Sequence, residues 1–254
     1  MVVATMTDSI VIDQTSHLFN DTDKPACNLR IKFTYLADGN NPRLRDSVNT
    51  ILASQTFGET YAGFQPQEAA EKYADNYIQR YHRDLENDYE EQAREADKDL
   101  LTEWYSYFES IETEVLSYDD YLLTYAMHFE EYTGGVHGIY STHYTNLDLR
   151  HLQTLTLGDI FIEGYEEPVT DLLWQQLIKD VNAKDKEDAE EMGYGILGDL
   201  MPTENFCLTP DGILFVYNIY EIAPYAMGAT SIILPYKQLK PWLNTQNVII
   251  KRML

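Results

Sequence analysis

Basic residues are scarce in this chain. Across 254 residues, 18 Lys+Arg stand against 42 Asp+Glu, a formal net charge of −24. That charge repels phosphate, so nucleic acid is a poor partner and anionic membrane surfaces are disfavoured. Basic proteins, cations and neutral glycans remain. Cysteine is nearly absent. Cys27 and Cys207 are far apart and lack metal-ligand spacing. They either form one disulfide, which implies an oxidising compartment, or stand as two separate buried thiols. No apolar run approaches the ~20 residues of a membrane helix. The stretch Met1–Asp8 has neither the basic region nor the apolar segment of an export signal. Two expectations follow: a cytoplasmic protein, or a mature chain whose signal has been removed. Internal repeats and low-complexity tracts are missing as well.

What is present is a 44% hydrophobic content, enough to bury a core in one large or two ordinary domains, and an unusual load of 20 tyrosines. The patterning predicts a strand over 2–12, a polar stretch from His17 to Pro25, and a strictly alternating strand over Asn28–Leu36. A short helix is expected over 43–56. The longest helical pattern runs over 66–99, with Tyr73, Tyr77, Tyr81 and Leu85 every four residues on one face. The other face is acidic: 59–120 holds 18 Asp+Glu and 5 Lys+Arg, more than half the net charge. Such a face is either solvated or attractive to a cationic partner.

Strands are expected at 100–117 (Thr102, Trp104, Phe108 and Ile111 among aromatics), at 121–131 and at 139–149, the last followed by a hairpin loop at 150–153. A helix is expected at 167–182 and a charged loop at 185–191. Further strands flank the turn Pro210-Asp211-Gly212 and cover 231–234. A short helix at 235–243 and a final strand at 247–252 complete the pattern. Strands and helices mix without regular βαβ alternation. The expected class is α+β, in two subdomains whose antiparallel sheets each pack with one or two helices.

Catalytic signatures are missing. There is no Gly-x-Ser-x-Gly elbow, His-Glu-x-x-His or P-loop. Gly193-Tyr194-Gly195-Ile196-Leu197-Gly198 matches a dinucleotide fingerprint by letter only, because no strand precedes it and Pro202 stands where its helix should continue. His137, His143 and His151 share even spacings, but no acidic partner is fixed beside them, and no metal or cofactor is assigned. A calcium loop of the Asp-x-Asp-x-Asp-Gly kind is absent around Asp21 and Asp23. A carboxylate pair for polysaccharide hydrolysis is defined by separation in space, which spacing in sequence does not give. Trp104, Trp174 and the tyrosine stripe are candidates for stacking on sugar rings, or else core.

Four motifs carry a resemblance. They are Thr133-Gly134-Gly135-Val136-His137-Gly138; Asn146-Leu147-Asp148-Leu149; Thr156-Leu157-Gly158-Asp159-Ile160-Phe161; and Tyr220-Glu221-Ile222-Ala223-Pro224-Tyr225-Ala226-Met227-Gly228. Leu208–Gly212 precedes the last and Ile233–Tyr236 follows it. In order and spacing, about 120–243 resembles the RsiV/PdaC-type module. That module is shared by the extracytoplasmic part of the sigma-V anti-sigma factor and the non-catalytic part of certain peptidoglycan deacetylases. The first half resembles the smaller deacetylase-associated (PdaC-like) module that precedes it. The division expected is 1–118 and 119–254.

The resemblance implies an exported protein, periplasmic or on the outer cell surface and lipid-anchored in its full-length form, with no established catalytic activity. In the anti-sigma factor the corresponding region is a receptor for lysozyme. Tyr220, Glu221, Pro224, Tyr225 and His137 are therefore the candidate partner-binding residues, and a basic, lysozyme-like protein or a cell-wall glycan is the candidate partner. The alternative is an envelope polysaccharide hydrolase or deacetylase whose carboxylate site carries no sequence signature.

Overall fold

The computed structural model describes residues 7–39, 41–94 and 97–254. Of the first expected strand, residues 2–6 lie outside this set. The remainder extends further than alternation suggested: β1 (Thr7–His17) pairs antiparallel with β2 (Ala26–Leu36) along its whole length, from Thr7 opposite Leu36 to His17 opposite Ala26. In β2, Cys27, Leu29, Ile31 and Phe33 point inward and the intervening residues outward, as period-two patterning requires.

Asn41 caps α1 (Pro42–Phe57) by accepting from Leu44 N, and proline occupies the first turn, where its missing N–H costs nothing. Asn49, buried in α1, accepts from Leu36 N and donates to Leu36 O, both at 2.9 Å, so it satisfies the end of β2 as a neighbouring strand would. Next comes α2 (Pro66–Gln92), 27 residues long. Ala69, Ala70 and Ala74 bury its first half, where small side chains allow close approach; Tyr77, Tyr81 and Tyr89 bury its second. The tyrosine stripe is therefore core, with Tyr73 at its margin.

The strand expected over 100–117 is two elements. Asp97 accepts from Asp99 N and starts α3 (Lys98–Tyr105), which buries Leu101 and Tyr105 at i, i+4 spacing. Only then does β3 (Tyr107–Tyr118) begin. β3 pairs with β2 in parallel, Cys27 opposite Tyr107 to Lys32 opposite Glu112, an exception to the expected antiparallel sheets. Parallel neighbours need a long crossover, and α1, α2 and α3 provide it.

The chain continues through β4 (Leu122–Tyr132), β5 (Ile139–Asp148) and the two-residue β6 (Gln153–Thr154). Strands β1 to β6 follow one another in sequence order in one sheet. Contacts divide the chain into two units: 1–115 with 127–140, and 116–126 with 141–254. The boundary expected at 118/119 thus lies where the chain changes units three times.

In the second unit, α4 (Leu157–Ile160) is a single turn and α5 (Glu166–Asp180) buries Val169, Leu173, Trp174 and Leu177. The charged segment expected as a loop is α6 (Lys186–Met192): Asp185 caps it by accepting from Asp188 N, and Gly193 ends it in the left-handed region at φ 116°. A second sheet has the order β7 (Phe206–Leu208), β8 (Gly212–Tyr217), β9 (Thr230–Pro235), all antiparallel. A one-turn α7 (Tyr236–Leu239) follows. The final segment is not a strand but α8 (Val248–Met253), because Asn247 accepts from Ile249 N and Ile250 N and nucleates a helix. The two cysteines are separate, free and buried. Burial pushes each thiol up to about 11.

Candidate binding loop

Residues 218–228 connect β8 to β9 and carry four of the five candidate residues. The loop opens with a turn in which Glu221 N donates to Asn218 O at 3.1 Å and the Glu221 carboxylate accepts from Asn218 N at 2.9 Å. Glu221 thereby fixes the turn itself. Between them Tyr220 sits at φ 66°, an unfavourable conformation for a bulky side chain, and the residue is 53% exposed. The rings of Tyr220 and Tyr225 lie 5.7 Å apart at 37°. Ile222 and Ala223 are buried and anchor the middle of the loop. Met227 N donates to Pro224 O and Gly228 N to Tyr225 O, closing the far side.

The loop lies on a bed that sequence patterning did not identify. Gly195 N donates to Ile222 O at 2.8 Å. At Gly195, φ is 74° and a Cβ would stand 2.9 Å from the Trp174 ring; at Gly198 a Cβ would stand 2.3 Å from Glu221 O. Only glycine permits approach this close. The letter match to a dinucleotide fingerprint thus has another physical origin. The same stretch exposes Met192, Ile196, Leu197 and Met201, each at least 43% accessible. Tyr217 Oη donates to Met201 O at 2.5 Å and ties this rim to β8. Glu190, Glu191 and Asp199 are exposed around it.

Three asparagines hold the loop's base. Asn218 Oδ1 accepts from Thr142 N at 2.8 Å and its Nδ2 donates to Thr142 O. Asn205 accepts from Tyr144 N and donates to Thr142 O and Val216 O. Asn146 donates to Phe206 O at 2.7 Å and accepts from Leu208 N at 2.9 Å. Each amide offers one donor and one acceptor to backbone, so side chains replace a ladder between β5 and the second sheet. Other motif residues have comparable structural roles. Asp159 accepts from Thr156 N and Oγ1, and Thr209 Oγ1 bonds Gly212 while Tyr236 Oη donates to Thr209 O.

The fifth candidate, His137, belongs to the other unit. It is exposed in the turn at 133–138 between β4 and β5. There Gly134, at φ 86°, lies so near the Trp104 carbonyl that a Cβ would stand 2.6 Å away. Trp104 itself is 48% exposed, whereas Trp174 is 9% exposed and has Lys186 4.6 Å over its ring. Among the described residues no group of three His, Cys, Asp or Glu could hold a metal. His143 Nε2 meets Ser141 Oγ at 3.1 Å, and His151 Nδ1 meets the Asp148 carboxylate at 2.8 Å.

One carboxyl in the first unit is strongly perturbed. Glu109 is 3% exposed and accepts from Tyr73 Oη at 2.8 Å. Burial, aided by the charge of Glu131, raises it to about 7 against the opposing Tyr73 hydrogen bond and Arg80. Nearby Tyr77 Oη is buried with no hydrogen-bond partner among the described residues.

The sequence matches two family models. Residues 21–140 match the family "Deacetylase PdaC", and residues 158–237 match "Protein of unknown function (DUF3298)". A solved member of the DUF3298 family from Bacteroides fragilis is 45% identical, with a TM-score of 0.93, over 98% of this chain and 97% of that one. The chain belongs to the DUF3298 family.

A DUF3298 family protein from Pseudomonas aeruginosa, 17% identical, shares the fold at a TM-score of 0.61 over 94% of each chain. No curated protein matches the sequence. The order of a PdaC-like domain followed by a DUF3298 domain is the one expected from the motifs. The Thr133–Gly138 motif falls in the first matched span, Asn146–Leu149 lies between the two, and the candidate loop falls in the second. Domains of these two families are typically extracytoplasmic. No helix among the described residues is long and apolar enough to cross a membrane.

Proposed function

We propose that this DUF3298 protein is a non-catalytic binding module of the cell envelope. It docks a basic, envelope-active protein of the lysozyme type through the Tyr220–Tyr225 loop and the Met192–Met201 rim. One observation carries the proposal: a conformationally fixed loop presents an exposed aromatic and rests on a segment that exposes apolar side chains, on a chain of net charge −24. A loop already ordered loses little entropy on binding, and tyrosine suits such surfaces because it is large, rigid and polar at its tip. The acidic surroundings accelerate encounter with a cationic partner. Export and a lipid anchor in the full-length form complete the proposal.

Titration with a cationic C-type lysozyme at two salt concentrations tests it, with lysozyme activity read in parallel. Tight, salt-weakened binding that Tyr220→Ala and Tyr225→Ala abolish supports the assignment. His137→Ala, in the other unit, tests that residue separately. No binding at low salt removes this partner and turns the assay to cell-wall glycan.

A second reading has one observation in its favour: a carboxyl raised to about 7, Glu109, within the span that matches the deacetylase family model. Yet Glu109 is 3% exposed, closed to a polysaccharide. Release of acetate from an acetylated chitooligosaccharide, lost in Glu109→Gln, is the result that would favour it.

A further inference from the structure

A cavity of about 270 Å³ opens in the second unit, away from the loop residues. Its lining brings together the hairpin 148–154, Tyr121, Asp159 and the segment 246–249. The polar groups there divide unequally. The Asp148 carboxylate is used on both oxygens, by Arg150 N and His151 N on Oδ1 and His151 Nδ1 on Oδ2, and Asp159 receives Thr156 N and Oγ1 on Oδ2. Burial opposes the charge on Asp148, but the His151 ring and the two backbone N–H groups outweigh it and hold that carboxyl below its ordinary range. Asn247 is likewise occupied, accepting from Ile249 N and Ile250 N and donating to Asp159 O.

One strong donor stands apart: among the described residues the Arg150 guanidinium forms no ion pair, and it lies 5.5 Å over the Tyr121 ring. Arg252, 4.2 Å over the same ring, is paired with Asp119 instead, which leaves the Arg150 fork as the uncommitted one. With Nδ1 held by Asp148, the His151 ring is fixed in direction on a side chain 68% exposed, and its second nitrogen is an acceptor whenever the ring is neutral. The amides of Gln153 and Gln246 complete the rim. Leu155 and Ile249, both nearly buried, give it an apolar floor.

A concave site with an unpaired planar guanidinium fork at its rim matches a ligand carrying a carboxylate. We infer that this cavity binds a small organic carboxylate, either an acidic sugar or the C-terminal carboxylate of a short peptide, with the Arg150 guanidinium as its anchor. The Asp148 and Asp159 carboxylates also line the cavity, so an anion is held at its Arg150 end; the field of the more distant acidic residues is screened beyond ~8 Å at physiological salt.

The test is an NMR titration of the full chain in physiological salt, following the Arg150 Nε–H and His151 ring resonances. The probes are D-glucuronate and N-acetyl-alanine, each with its neutral counterpart, D-glucose and N-acetyl-alaninamide. At least one acid should shift these resonances saturably, with Kd of about 1–10 mM for so small a ligand. Glucuronate alone assigns a sugar, N-acetyl-alanine alone a peptide terminus, and both together the carboxylate itself. Arg150→Gln should weaken binding about tenfold or more, the worth of one charge-assisted hydrogen bond, with the rest of the spectrum unchanged. Gln246→Ala, which leaves the hairpin intact, should weaken it less. No saturable shift up to about 50 mM, equal shifts from the neutral counterparts, or undiminished binding by a folded Arg150→Gln would overturn the assignment.

Discussion

Glu109 makes the stability of the first unit depend on pH in an unusual direction. Its carboxyl is 3% exposed, and burial raises it from 4.5 to about 7. The folded unit therefore prefers the protonated form. Between those two values the native state holds a proton that the unfolded chain releases. Stability from this group is fully present below pH 4.5 and is lost as pH rises through 7. At ~1.4 kcal/mol for each tenfold change in proton affinity, the whole loss is about 3 kcal/mol. Replacing Glu109 by Gln removes the charge, keeps the shape and leaves an oxygen to accept from Tyr73 Oη. The variant should be more stable than the wild type by up to about 3 kcal/mol at pH 8 and by about 1 kcal/mol or less at pH 5.

Urea unfolding followed by circular dichroism at both pH values measures this. The difference between variant and wild type cancels the relief of general acidic repulsion at low pH. It also cancels Glu86 and Glu112, whose hydrogen bonds to His82 and Lys32 hold them low and which act below 4.5. A variant destabilised equally at pH 5 and pH 8 would refute the reasoning, because it would make the Glu109 carboxylate a stabilising partner rather than a buried charge.

Tyr220→Gly should leave stability unchanged or raise it by up to about 1 kcal/mol, since it relieves a left-handed tyrosine, while partner affinity falls about tenfold or more. Thermal denaturation and titration together check that separation. Asn146→Ala leaves Leu208 N and Phe206 O unpaired in the core, and should cost about 2–4 kcal/mol in urea. Iodoacetamide should modify neither Cys27 nor Cys207 in the native protein and both after unfolding, as read by intact mass. A single alkylation in the native state would contradict their burial.

The alternating strands and the long helix were legible because a period of two or 3.6 residues maps directly onto burial. The misassigned segments share a cause. At Lys98–Tyr105, Lys186–Met192 and Val248–Met253 the helix is set by a capping side chain, Asp97, Asp185 or Asn247, rather than by a long hydrophobic period. The parallel pairing of β2 with β3 was hidden for another reason, since strand direction is decided by what lies between the strands. At the candidate loop, motif recognition located Tyr220, Pro224 and Tyr225. It did not reveal that Asn146, Asp159 and Thr209 in the same motifs are scaffold, nor that Gly195 and Gly198 carry the loop. Those contacts join residues distant in sequence, and the glycines' only signal was a fingerprint of the wrong kind. Glu109 was indistinguishable in sequence from the other acidic residues of 59–120, because only burial sets it apart.

The parallel partnership of β2 and β3 imposes an order on synthesis. Residues 37–106 separate Leu36 from Tyr107. At ~5–20 residues per second, β2 exists for roughly 4–14 s before its second neighbour has been made. During that interval the β1–β2 hairpin presents an unpaired edge, with inward-facing Leu29, Ile31 and Phe33 uncovered on one side. Until β3 arrives, α1 and α2 are the elements available to cover that face; in the folded chain the Asn49 amide occupies the last hydrogen-bonding position of β2. A nascent chain arrested before Tyr107 therefore resembles an adhesive ribbon more than half of a domain, and once β3 is made the open edge passes from β2 to β3 until β4 follows.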